Sequence, residues 1–163
     1  MALKSKAILG VAIMGAVLVS APAQAACWSA GAIAAAKVRD METMLMVSAL
    51  RCRASGHDFL GRYNNFVRKG RGALTQANDQ LRAHFSAEVG TARGLNDYDR
   101  YVTSIANRYG AGAEGLSCRD MASITEAAAA ESSSFVALEK LAERADVQPI
   151  IQGRRCAITL ATK

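Results

Sequence analysis

Apolar residues recur every three or four positions from residue 29 to residue 145, and no stretch alternates apolar and polar for long, so the chain predicts helices rather than strands. A first helix over residues 29–54, stopped at Gly56, places Ala34, Val38, Met41, Leu45, Ser48, Ala49 and Cys52 on one stripe at 100° per residue. Within METMLMVSAL, however, Met44, Met46, Val47 and Leu50 point away from that stripe. A helix apolar nearly all round belongs at the centre of its domain. The alternative is that these four residues form an adaptable, methionine-rich surface for a partner.

Asp58 is placed to cap a second helix over residues 59–85, with Leu60, Tyr63, Val67, Gly70, Leu74, Ala77, Leu81 and Phe85 in one arc. Gly70 falls on the apolar face, where a neighbour can approach closely, and Gly72 on the wet side. Together they mark a candidate kink. A third, shorter helix over residues 96–109 ends at Gly110 and carries Tyr98, Tyr101, Val102, Ile105 and Tyr109 on one face. Ser117 and Asp120 form a capping signal for a fourth helix reaching about residue 145, with Met121, Ile124, Ala128, Phe135, Leu138 and Ala142 as its stripe. Glu131 falls in the middle of that stripe, between AAAA and SSS. A carboxylate there must be paired, protonated or open to a cavity, which makes it a candidate buried polar site. The expected fold is all-α, a four-helix up-and-down bundle.

Ahead of these helices, Lys4 and Lys6 precede an apolar run at residues 7–21, then Pro22 and an A-x-A pattern at 23–25. The run is shorter than the ~20 residues of a membrane span. It reads as a cleavable secretory signal at 1–25, leaving residues 26–163 as a single domain in the periplasm or beyond, with no transmembrane span after cleavage; an uncut anchor is the alternative. Lipidation of Cys27 would need an aliphatic residue three positions earlier, where Gln24 stands.

The four cysteines are an even number for an oxidising compartment, which favours two disulfides. A continuous first helix separates Cys27 from Cys52 by ~37 Å at 1.5 Å per residue, beyond disulfide reach. Alternating helices then bring Cys52 to Cys118 and Cys27 to Cys156. Cys27 would staple the start of the domain to an irregular tail.

Removing Lys4 and Lys6 lowers the net charge from +6 to +4, a mildly basic balance that is no nucleic-acid signature. Anionic envelope polymers or lipid headgroups are the more reasonable target, through Arg62, Arg68, Lys69, Arg71 and Arg82 of the second helix. The two histidines, His57 and His84, belong to no H-E-x-x-H pattern, and no G-x-S-x-G, Walker or dinucleotide fingerprint occurs. The glycine-rich GAGAEGLS from Gly110 follows no strand and reads as a turn. No metal, cofactor or catalytic set is expected.

The segments RDMETMLMVSALRC, YNNFV, ANDQLRAHF and NDYDRYVTSIANRYG resemble an uncharacterised family of short exported bacterial helical proteins, some labelled S-adenosyl-L-homocysteine hydrolase. Enzymes of that name are much longer and bind NAD through a glycine fingerprint, and the chain has neither feature. The resemblance implies an exported helical domain and carries no functional residue. Three functional classes follow as expectations: a non-catalytic interaction or structural module with an envelope protein partner, a binder of anionic envelope material, and a small hydrolase centred on Glu131.

Overall fold

The computed structural model describes residues 27–157, so the expected secretory signal lies outside the described residues. Six α-helices are present among them: α1 (Ala30–Ala54), α2 (Leu60–Lys69), α3 (Arg71–Val89), α4 (Thr91–Arg108), α5 (Cys118–Glu131) and α6 (Phe135–Arg144). The described part is all-helical, and its only β feature is an isolated parallel bridge between Trp28 and Arg155.

Six helices replace the four expected because two of the predicted helices are broken. The second divides at Gly70, which closes α2 through its N–H to Phe66 O (2.8 Å) and accepts the Leu74 N–H of α3 through its carbonyl. A Cβ at Gly70 would lie 3.1 Å from Phe66 O and 3.3 Å from Ser132 Cβ, so the turn after α5 packs close here and a side chain would force its neighbours to give by a few tenths of an ångström. The fourth divides at residues 132–134. Ser132 turns its hydroxyl back to Ala129 O, and Ser134 caps α6 by accepting from Ala137 N.

That second break overturns the buried placement of Glu131. As the last residue of α5 it escapes the core stripe. Its side chain is 33% exposed and accepts from Arg144 Nη2 at 2.7 Å, an ion pair between α5 and α6 at the surface.

Helix α1 is the axis of the molecule and touches all five other helices. Ser29 caps it by accepting from Ala32 N, and its middle is buried on every side. Met44 is consequently core, not partner surface; Met46 and Val47 are half-buried, and only Leu50, 55% exposed, stands in solvent. Helices α3 and α4 form an antiparallel hairpin across Gly90, whose φ of 76° suits glycine. The hairpin is tight enough that a Cβ at Gly94 would lie 2.5 Å from Ser86 Cα.

Two disulfides fasten the ends of the structure. Cys52, in the last turn of α1, joins Cys118 at the start of α5 (Cα–Cα 5.7 Å), and Cys27 joins Cys156 (Cα–Cα 4.8 Å). Around the second bridge Trp28 N donates to Arg154 O, Cys156 N to Trp28 O, and the Trp28 indole to Gln152 O at 2.8 Å. The tail after α6 is thereby held against the start of the domain.

Candidate functional site

The buried middle of α1 carries RDME at residues 39–42, which places two carboxylates inside the protein. Asp40 is fully buried. Its Oδ1 accepts from the Tyr109 hydroxyl at 2.6 Å and its Oδ2 from Arg108, which also donates to Gln148 O at 2.8 Å. Burial pushes the Asp40 carboxyl above the usual carboxylate range, against the opposing pull of Tyr109 and Arg108. Burial likewise raises the Tyr109 phenol well beyond its ordinary value, and the hydrogen bond to Asp40 adds to it. A phenol held that firmly protonated is a hydrogen-bond donor, not a nucleophile.

On the other side of α1, Glu42 is 5% exposed. Tyr63 donates to Oε1 at 2.5 Å and Arg39 Nη1 to Oε2 at 2.6 Å. Burial and then Glu42 raise the Tyr63 phenol far above its ordinary value. Both carboxylates are therefore satisfied ties between helices. Neither was singled out from the sequence, although the all-round apolar α1 was the signal: polar residues on such a helix have to be buried with partners.

Glu42 and Arg39 also form the inner wall of a groove of about 500 Å³ between α1, α2 and α3. Arg68 and Arg71, from either side of the Gly70 break, line it with Asn64, Thr75 and Asn78. Tyr98 donates to Asn78 Oδ1 at 2.8 Å, which leaves the Asn78 amide NH₂ available. The buried Nε of Arg39 has no hydrogen-bond partner among the described residues.

Of the five basic residues expected on the second helix, all are exposed. Arg62 pairs with Glu126 at 3.0 Å and Arg82 lies 4.0 Å from Asp79. No carboxylate among the described residues lies within ion-pair distance of Arg68, Lys69 or Arg71, and Arg68 donates to Asn65. These three cations flank the Gly70 break, Arg68 and Lys69 in the last turn of α2 and Arg71 at the start of α3, an elbow between the two helices.

A second cavity, about 590 Å³, lies at the stapled end and is lined by Trp28, His84, Phe85 and Tyr101. Its Glu88, Asp97, Arg100 and Arg154 balance in charge, and Asp97 is already paired with Arg100. His84 lies with its ring centroid 4.0 Å from that of Trp28, and burial lowers its pKa, with Glu88 opposing.

Among the described residues no group of histidine, cysteine or acidic side chains is arranged to hold a metal, and no helix is long and apolar enough to cross a membrane. The two disulfides are consistent with an exported protein. No known protein family, curated protein or solved structure matches the chain.

Proposed function

We propose that the protein is a non-catalytic exported binding module that takes anionic envelope material, a polymer or a headgroup surface, on the elbow between α2 and α3. The observation that carries this reading is the trio Arg68, Lys69 and Arg71: exposed, adjacent, and free of the carboxylates that occupy Arg62 and Arg82. Unpaired cations crowded at one place repel one another, and an anionic partner relieves that repulsion. The saturated state of Asp40 and Glu42 supports a binding role over a catalytic one. Glu131, paired with Arg144 at the surface, does not make the interior carboxylate that a hydrolase would need.

The apolar surface left on α1 reduces to Leu50 with half-covered Met46 and Val47, smaller than a methionine-rich docking face. An electrostatic partner is the better match to what is exposed. The test is sedimentation of the oxidised protein with phosphatidylcholine vesicles, with and without anionic lipid, at low and high salt. Retention confined to anionic vesicles and lost at high salt is expected. Equal retention on both, or none at low salt, contradicts the proposal.

A further inference from the structure

We infer that the groove beside the elbow is a discrete site for a phosphate dianion, either inorganic phosphate or a phosphate monoester. This inference rests on the anion-binding reading but adds a saturable pocket to a diffuse basic surface.

The lining carboxylate and the Asn78 carbonyl are already engaged, while Asn64 and Thr75 can turn either a donor or an acceptor to a ligand. Glu42 gives one oxygen to Tyr63 and the other to Arg39, and Asn78 gives its carbonyl to Tyr98. What remains is rich in donors: the guanidinium groups of Arg68 and Arg71 and the Asn78 amide, beside Arg39, whose Nε is unpartnered but buried at the groove's inner wall. Three arginines against one carboxylate leave two net positive charges on the lining. A phosphate monoester carries about −1.5 to −2 at neutral pH and presents three acceptor oxygens. A carboxylate, with two oxygens and one charge, would leave more of these donors unmatched. Arginine forks suit the tetrahedral oxyanion because they donate in pairs. Glu42 is the positioning residue, since its bond to Arg39 Nη1 fixes the plane of that guanidinium.

Isothermal titration of the full oxidised protein with inorganic phosphate at constant ionic strength tests the site. One phosphate per chain is expected, with affinity about tenfold or more weaker in Arg71→Gln and in Arg39→Lys. The lysine keeps a cation beside Glu42 but lacks the fork. Lys140→Gln, exposed on α6 and outside both the groove lining and the elbow, leaves phosphate affinity unchanged. Arg71 is exposed, so its variant keeps the test decisive if Arg39→Lys does not fold. Absence of saturable binding, or binding indifferent to both arginine substitutions, overturns the site. Retention on anionic vesicles in that case leaves the elbow reading standing alone. Conversely, groove-dependent phosphate binding without vesicle retention supports the site and overturns the elbow reading. Displacement of the protein from phosphatidic acid vesicles by inorganic phosphate, again at constant ionic strength, assigns the groove to a lipid-borne monoester; failure to displace assigns it to the free anion.

Discussion

The closeness of α3 and α4 at Gly94 makes a sharp test of the packing. Alanine is favoured over glycine in a helix by about 1 kcal/mol, so Gly94→Ala would stabilise α4 if space allowed. It does not: the new Cβ would lie 2.5 Å from Ser86 Cα and 2.7 Å from Ser86 N, both backbone atoms that cannot turn aside. Carbon atoms pack at about 3.5–4.0 Å, so the hairpin must open by roughly 1 Å. Opening it loosens Phe85 from Tyr101, whose ring centroids are 5.3 Å apart. Overpacking of this kind costs about 1–3 kcal/mol and outweighs the propensity gain. In urea, at about 1–3 kcal/mol per molar, a net loss near 1 kcal/mol moves the unfolding midpoint down by roughly 0.5 M. The control is Gly72→Ala in α3, where nothing lies within 4 Å and a gain of up to about 1 kcal/mol is expected. Both variants stabilising by similar amounts would refute the close approach.

Three further outcomes follow from the interior and the staples. Asp40→Ala strands the Tyr109 hydroxyl and should lower stability by about 2–4 kcal/mol in urea unfolding, whereas Asp40→Asn, which keeps an acceptor, should lose less than half of that; equal losses would argue against the hydroxyl bond as the cause. Replacing Cys52 and Cys118 together by alanine should cost roughly 4 kcal/mol, because the bridge spans a sequence separation of 66 residues, and a loss under about 1 kcal/mol would contradict that account. The His84 pKa is depressed, so the unfolded chain binds the proton more readily: stability holds above about pH 6.5, the ordinary histidine value, and falls as pH drops toward the folded pKa. Fluorescence of Trp28, the chain's one tryptophan, should report this titration with a midpoint below 6.5 that disappears in His84→Gln, and a midpoint at or above 6.5 would contradict burial as the cause.

The parts of the fold legible in the sequence are those written in local chemistry. Helix α1 begins and ends where Ser29 and Gly56 place it, and Ser117 with Asp120 makes the reciprocal capping box at α5. The break at Gly70 was marked as a candidate kink, but the apolar arc continues across it, so periodicity alone cannot separate α2 from α3. The start of α4 at Thr91 rather than residue 96 is set by the tight α3–α4 hairpin, a tertiary contact without a local signature. Glu131 misled because its stripe was drawn through three serines that end one helix and cap the next. The groove was half legible: Arg68 and Arg71 stood out as basic residues, but their convergence with Arg39 depends on α1, α2 and α3 meeting in space.

The central claim is that anionic material binds through the elbow. Its most direct test is the affinity of the oxidised protein for anionic vesicles across a salt series, compared with a variant carrying Arg68→Gln, Lys69→Gln and Arg71→Gln. At about 1 kcal/mol per basic residue near an anionic surface, the account predicts roughly 100-fold weaker binding at low salt and a shallower salt dependence for the variant. Equal affinity and equal salt dependence for the two proteins would contradict it.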